Sequence, residues 1–245
     1  MISVTVLAKN SESILKKTLR SVSAFPEVLL YDTGSTDQTL DIAREFANVR
    51  ICQGDFQGFG KAHNLATSLA THDWILSLDS DEELSPALAE EVLALRLDPA
   101  IVYRIRRHNY FNKKRIKWCG GWDPDYVVRL YHRKTTAFDE AQVHEKVLSS
   151  GLKIHTLKHP ILHTPYQQIG DFLSKMQTYS SLFALQHSQV KQAGVLSALM
   201  HSWWAFLKSY VLKRGFLGGR EGLVISLYNA HTTFYKYLKL SDICK

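Results

Sequence analysis

The densest chemistry in the chain is a run of carboxylates, Asp79-Ser80-Asp81-Glu82-Glu83, directly after the apolar segment Trp74-Ile75-Leu76-Ser77-Leu78. Two aspartates one residue apart, just past a buried strand, can face one point in space. Hard divalent cations take oxygen ligands, and Mg2+ is typically held by one or two carboxylates together with substrate phosphates. The run therefore suits a metal–diphosphate site. The plainer reading is an acidic loop leading into the helix that Ser85-Pro86 opens, where negative charge is favourable in any case. A second acidic strand end, Asp32 after Val28-Leu29-Leu30-Tyr31, tips the balance toward a ligand site. Further on, Asp125 and Glu145 are candidates for a general base, which must reach the hydroxyl it deprotonates. His144 and His163 could each complete a metal shell, or equally be ordinary core or surface histidines. The eleven histidines are scattered. No helical HxxxH pair lies near another carboxylate, so a zinc enzyme is not supported.

The elements that must position these groups alternate in type. Val4–Leu7, Val28–Tyr31, Val49–Cys52 and Trp74–Leu78 are short apolar runs bounded by polar residues, the pattern of buried strands. Between them, Ile14, Leu15, Leu19 and Val22 fall at helical spacing, with Asn10 or Ser11 as cap. Leu40, Ile42, Ala43 and Phe46 form a second helix, for which Ser35 and Gln38 fit a capping box. Ala62, Leu65, Ala66, Leu69 and Ala70 form a third. Ser85 as cap with Pro86 at the first helical position opens a fourth. Strand–helix repetition implies a doubly wound, mostly parallel α/β sheet. Such sheets bind ligands at the carboxyl ends of their strands, where Asp32 and Asp79–Asp81 sit.

Composition excludes several classes. The chain has 245 residues, 45% apolar and 22% charged, close to the globular average. Cys52, Cys119 and Cys244 are an odd number without a CxxC. Neither a disulfide framework nor a structural zinc site follows, and a reducing compartment is the default. The N-terminal Met1–Leu7 reads as a first strand and not as a signal peptide. Charge is uneven: residues 1–150 hold 19 Lys+Arg and 20 Asp+Glu, residues 151–245 hold 11 and 3. The second part also holds 13 of the 27 aromatic residues. That combination points to an anionic partner, or to a solvated helical bundle with a basic exterior.

Several segments carry a family resemblance. Tyr31-Asp32-Thr33-Gly34-Ser35-Thr36-Asp37 is similar to a DxGSxD segment, and Leu78-Asp79-Ser80-Asp81-Glu82 to an LDxDE segment, of glycosyltransferase family 2. Gly58-Phe59-Gly60-Lys61-Ala62-His63-Asn64-Leu65-Ala66 resembles the GFGxxxNxA of a bacterial subgroup. Gly121-Trp122-Asp123-Pro124-Asp125, Arg129-Leu130, Val143-His144-Glu145 and Lys236-Tyr237-Leu238-Lys239-Leu240 extend the likeness over almost the whole chain. The subgroup comprises glucosyltransferases that add glucose to heptose in the inner core of lipopolysaccharide or lipooligosaccharide. One departure is Ala8, where the family usually carries Thr.

The resemblance implies a GT-A fold over residues 1–165, with a nucleotide-sugar half at about 1–100 and an acceptor half at about 101–165. Residues 166–245 would be a basic, aromatic-rich helical extension. It implies an inverting transferase that moves a hexose, glucose from UDP-glucose, with Mg2+ or Mn2+. Asp32 would accept from the uracil; Ala8, Asn10 and Asn64 fall in the donor-binding motifs. Asp79 and Asp81 would handle ribose and metal, with Asp81 the direct ligand. Glu145 stands where the family places its acidic catalytic motif, with Asp125 as second choice. Lys61 could add positive charge beside the phosphates, or be a solvated helix lysine. Expected partners are a nucleotide sugar, a glycolipid acceptor of the lipopolysaccharide core and an anionic membrane surface. The expected place is the cytoplasmic side of the inner membrane. A non-catalytic glycolipid-binding protein and a nucleotidyltransferase are the alternatives; the latter lacks a glycine-rich phosphate loop in Leu7–Ser13.

Two basic segments have double readings. Arg104–Arg115 looks like a nucleic-acid stripe, but alternation of Ile101, Tyr103, Ile105 with Val102, Arg104, Arg106 reads as a half-exposed strand and hairpin. Beside the acceptor site it could equally meet the phosphates of a phosphorylated heptose or the carboxylates of Kdo. Nucleic acid is not expected as a partner. Leu196, Leu199, Met200, Trp203, Leu207, Tyr210 and Val211 share one helical face, with Ser197, His201, Lys208 and Ser209 off it. Such a helix can lie on an anionic bilayer, with weak and salt-sensitive attachment, or pack in a bundle.

Overall fold

A computed structural model describes residues 1–141, 145–188 and 193–243. The chain divides into two compact units, Met1–Arg107 with Asp125–His163, and His108–Pro124 with Thr164–Lys245.

The first unit opens with β1 (Ile2–Ala8), α1 (Leu15–Ser21), β2 (Glu27–Asp32), α2 (Thr39–Arg44), β3 (Val49–Gln53), α3 (Phe59–Leu69) and β4 (Trp74–Asp79). The strands pair in parallel in the order β3-β2-β1-β4. All seven residues of β1 are buried, as a strand covered on both faces must be. Along the chain then come β5 (Glu82–Leu84), α4 (Pro86–Leu93), β6 (Ile101–Phe111), whose end from His108 belongs to the second unit, β7 (Lys114–Arg115), also in the second unit, and, back in the first, β8 (Asp125–His132), β9 (Lys153–Thr156) and β10 (Ile161–His163). Here the order changes. β8 runs antiparallel to both β4 and β6, β10 antiparallel to β5, and only β9 parallel to β6. The doubly wound parallel part expected from the sequence is β1–β4, where helices cross over between strands, and β9 adds one further parallel pairing. The hairpin β6–β7 turns at Asn112 and Lys113, both with positive φ, and needs no crossover.

The core lies on both faces: Val4, Val6, Leu30, Leu76 and Leu78 are fully buried with Leu15, Leu19 and Leu88 on one side of the parallel strands, and Leu7, Leu29 and Tyr31 pack with Ala62 and Ala66 of α3 on the other. Helix starts are less faithful to the sequence pattern. Ser85 does cap α4, accepting from Leu88 N at 3.3 Å, with Pro86 following. Neither Asn10 nor Ser11 caps α1, which begins after Ile14 without a side-chain cap. The Ser35–Gln38 capping box does not form either, because the Ser35 hydroxyl donates to Asp32 instead.

The second unit holds α5 (Ile169–His187), α6 (Val195–Leu207), a π-helical turn (Lys208–Leu212), a 3-10 turn (Gly215–Gly218) and α7 (Arg220–Ile243). Its core joins Phe111, Ile116, Cys119 and Trp122 to Tyr166, Phe172 and Ile225. Residues 108–124 therefore share the hydrophobic core of the helices, whereas the sequence reading grouped them with the acceptor half. Helix α6 and the two turns that follow it meet α7 through small residues. Ser202 donates to the Ala230 carbonyl at 2.9 Å, and Ser209 meets Ser226 at 3.0 Å. A Cβ on Gly222 would lie 1.8 Å from the Gly215 carbonyl oxygen. No helix among the described residues is long and apolar enough to cross a membrane.

Candidate active site

The parallel register sets the site. Ala8 pairs with Asp32, and Leu7 with Asp79, so three strands end together with Asp32 and Asp79 at one edge. Two loops brace that edge. Asn10, at φ 49°, accepts from Thr36 N at 2.8 Å through its side chain and donates its own N–H to Ser35 Oγ at 2.9 Å. Asn tolerates the left-handed region better than most residues. The Ala8 carbonyl accepts from Thr33 N at 3.0 Å.

Asp32 is fully buried. Its carboxylate accepts from the N–H of Gly34 at 3.3 Å and of Ser35 at 3.2 Å, from the Ser35 hydroxyl, and from Gln53 Nε2 at 3.2 Å. In this arrangement Asp32 holds its own turn, and most of its acceptor positions are occupied.

The carboxylate run is pinned at its middle. The Ser80 N–H donates to the Leu7 carbonyl at 3.2 Å, its carbonyl accepts from Thr18 Oγ1 at 2.8 Å, and its hydroxyl meets Ser11 Oγ at 2.8 Å. Asp79 and Asp81 flank this fixed residue and have different partners. Asp79 bonds to Arg129 through Oδ2 and lies 3.5 Å from His63 Nε2 through Oδ1. Burial opposes its ionisation, but Arg129, His63 and Arg107 outweigh it and hold the carboxyl well below the usual range. Asp81 Oδ1 lies 3.5 Å from His163 Nε2, and β10 brings His163 opposite Glu82.

The structure adds four residues to which sequence reasoning assigned no role. Glu82 is fully buried and accepts from Arg129 Nη2 at 2.8 Å, Arg107 Nη1 at 3.1 Å and the Asp79 N–H at 3.1 Å. Arg107 also donates to Asp125 Oδ2 at 2.9 Å. His63 is fully buried, stacked 4.5 Å from Phe138, with Nδ1 3.1 Å from Ser77 Oγ. Its Nε2 lies 3.5 Å from Asp79 and 3.8 Å from Glu145. A continuous chain of ionisable side chains thus runs Asp125–Arg107–Glu82–Arg129–Asp79–His63–Glu145. All seven residues stand in or beside motifs visible in the sequence, but the pairing between distant segments has no local signal.

Glu145 is placed by the glycine-rich segment before α3. Gly58 has φ 109°. A Cβ on Gly60 would meet the Asp139 carbonyl oxygen at 1.9 Å, so only glycine lets that loop approach. Asn64 then clamps the same loop, donating to the Phe138 carbonyl at 3.0 Å and accepting from the Phe138 N–H at 2.9 Å. Asn64, expected in a donor-binding motif, has both ends of its amide engaged with the backbone of Phe138. Lys61 is likewise on the exposed side of α3, 4.0 Å from Glu140, and is not seen among the carboxylates. Burial pushes the Glu145 carboxyl upward, and Asp79 adds to that; His63 and Arg129 pull the other way without cancelling it. His144 lies outside the described residues.

The basic strand β6 is used internally. Arg104 donates to Thr156 Oγ1 at 2.9 Å and lies 5.0 Å over the Tyr126 ring, which Arg106 also approaches at 5.9 Å.

Mg2+ or Mn2+ fits the donor set at Asp81 and His163, an oxygen and an imidazole nitrogen that diphosphate oxygens could complete. Among the described residues no three His, Cys, Asp or Glu side chains cluster closely enough to hold a metal unaided.

The chain was compared with known proteins. A glycosyltransferase of Rickettsia bellii is 27% identical over 261 residues, 99% of this chain and 86% of the relative. A lipopolysaccharide core biosynthesis glycosyltransferase, LpsC, of Rhizobium meliloti is 26% identical over 76% of this chain and 71% of the relative. Residues 1–349 of S. aureus TarS in complex with UDP-GlcNAc superpose at a TM-score of 0.49 and 16% identity, covering 99% and 89% of the two chains. The sequence model of Glycosyl transferase family 2 matches residues 3–148. That match covers more than half of the chain and contains β1–β4, the carboxylate edge and Glu145, and by it the protein belongs to glycosyltransferase family 2.

Proposed function

We propose that this glycosyltransferase moves a hexose, glucose from UDP-glucose, onto heptose in the inner core of lipopolysaccharide or lipooligosaccharide, with inversion at the anomeric carbon. The reading places the reaction on the cytoplasmic side of the inner membrane, where nucleotide sugars are made.

The observation that carries the mechanism is the contrast between the two carboxylates at the ends of the network. Asp125 is bound to the Arg107 guanidinium at 2.9 Å, so its carboxylate is already engaged in an ion pair. Glu145 is held with a raised pKa by burial, and a base works best when its pKa nears the working pH. Glu145 is therefore the base. The acceptor hydroxyl oxygen bonds to the anomeric carbon and its proton passes to a Glu145 oxygen. The bond from that carbon to the diphosphate oxygen breaks, and UDP leaves with the electron pair. Asp81 and His163 would hold a Mg2+ or Mn2+ ion, which when bound neutralises the leaving diphosphate. Asp32, Asn10 and Ala8 form the floor of the nucleotide site, and Asp79 faces the ribose. The R. meliloti relative, named for lipopolysaccharide core biosynthesis, supports the acceptor class.

The test is a panel of nucleotide sugars offered to the purified protein with truncated core glycolipids, with and without Mg2+ or Mn2+. UDP-glucose should give a product one hexose heavier on a heptose-terminated core, with the opposite anomeric configuration. Transfer only from another sugar nucleotide, or only to an acceptor lacking heptose, overturns this reading. An Asp81→Asn protein that turns over normally at saturating Mg2+ removes the metal role from Asp81.

A further inference from the structure

The second unit carries an unusual helix surface. α6 meets α7 through Ala198, which is buried, and through Ser202. With small residues turned inward, the large ones face out. Leu196 is 74% exposed, Met200 60% and Trp203 60%; Leu199 and Trp204 are exposed beside them. Positions 196, 199, 200 and 203 lie on one helical face. Leu212, at the end of the π-helical turn, and Phe216 beyond it are exposed as well. An apolar patch of this kind on a folded protein marks an interaction surface.

Charge says what covers it. Residues 195–220 contain Lys208, Lys213, Arg214 and Arg220 and no Asp or Glu. All four cations are exposed. The second unit as a whole has 13 Lys+Arg against 4 Asp+Glu. Adjacent exposed tryptophans, an apolar face and a rim of cations without acids match the chemistry of an anionic lipid interface, in which indole rings sit at headgroup depth. We propose that the outward face of α6 and the turn that follows insert into the headgroup layer of an anionic phospholipid bilayer. This goes beyond the electrostatic attachment expected from sequence. Apolar burial is not screened by salt, whereas the attraction of the cations fades within a Debye length. The inference concerns the second unit alone and is independent of donor and acceptor identity.

The test is co-sedimentation of the full-length protein with vesicles of phosphatidylethanolamine and phosphatidylglycerol, and with phosphatidylcholine vesicles, at about 0.1 M and about 1 M NaCl. The wild type should pellet with the anionic vesicles, and part of it should stay bound at high salt. The double variant Leu199→Gln, Trp203→Gln should lower the partition coefficient about tenfold or more at both salts, because it removes two large apolar side chains from the lipid. Lys208→Gln, Lys213→Gln and Arg214→Gln together should weaken pelleting at low salt and leave the salt-resistant fraction in place. Lipids with brominated acyl chains should quench wild-type tryptophan emission, a reading that needs no variant. UDP-sugar hydrolysis should be unchanged in both variants. Absence of pelleting at low salt overturns the proposal. So does complete release at high salt with no effect of the double variant, which would leave the cations alone responsible. A concentration-dependent dimer that Leu199→Gln, Trp203→Gln abolishes, without vesicle binding, would assign the face to a second copy of the chain.

Discussion

The two units handle charge in opposite ways. The first has 17 Lys+Arg and 19 Asp+Glu, and its central charges are folded inward against one another. Glu82 and Arg129 are both buried, and each neutralises more than one neighbour. The second unit leaves an excess of cations on its surface, beside an exposed apolar face. Buried charges need partners, because removing one partner leaves the other uncompensated in a low-dielectric interior. Exposed charges need none, so they can be arranged for an outside partner. The first unit is built to set the protonation and direction of a few side chains. The second is built to meet something else.

The sharpest test of this contrast is at the base. Glu145→Gln keeps the side-chain volume and removes the proton acceptor. Turnover should fall about 10²–10⁴-fold with little change in UDP-sugar affinity, read by steady-state kinetics and by equilibrium binding. If Asp125→Asn shows that pattern instead, the roles of the two carboxylates exchange.

Next in size is the interior pair. Arg129→Met would leave Glu82 and Asp79 without their shared cation. Stability should drop by about 3–5 kcal/mol, measured as a shift of the urea midpoint at constant slope. A loss under about 1 kcal/mol would mean that water or rearrangement compensates the buried acids, and the inward-facing picture would need revision.

A smaller effect is expected at the opposite edge of the same sheet. Glu27 accepts from Arg50 Nη2 at 2.9 Å, from Thr71 N at 2.8 Å and from the Ser3 hydroxyl. Burial would raise its pKa, but these donors overcome that and lower it from 4.5 to about 2. The folded-state value lies below the unfolded one. The stabilisation is therefore present above about pH 4.5 and is lost as pH falls toward about 2. Glu27→Gln should cost about 1.5–3 kcal/mol at neutral pH, and the difference from wild type should shrink through that acid window. A difference independent of pH would show that the carboxylate charge is not what is bound there.

The smallest effect belongs to the second unit. Lys208→Gln should change stability by no more than about 0.5 kcal/mol in a thermal melt, because Lys208 is exposed. A large loss would show that the basic surface is part of the fold and would erase the contrast.

Much of the first unit was legible in the sequence because its signals are local. The four apolar runs are strands β1–β4, and Ser85-Pro86 opens α4 as a helix start should. The strand-end position of Asp32 and Asp79 followed from alternation of strand and helix. Two helix caps were misread for one reason: Asn10 and Ser35 have the right side chains, yet each is engaged by the neighbouring loop. Asn64 was read as a ligand contact because its motif was visible, but its partner, 74 residues away, was not.

The sequence by itself determined which strand ends carry acids and the strongly basic character of the C-terminal part, and the resemblance of those carboxylate motifs to glycosyltransferase family 2 supplied the class of chemistry. Residue type and spacing suffice there, since alternation dictates which strand ends carry acids. Tertiary structure alone decided how the acids are paired. Arg107 and Arg129 come from strands that pair antiparallel, and His63 from a helix packed on β1 and β2 whose ring reaches Ser77 and Asp79 of the neighbouring β4. It likewise decided that α6 buries its small residues and exposes its tryptophan. Helical spacing marks an apolar stripe but not what lies against it, and here the small-residue face fits α7 more closely than large side chains could.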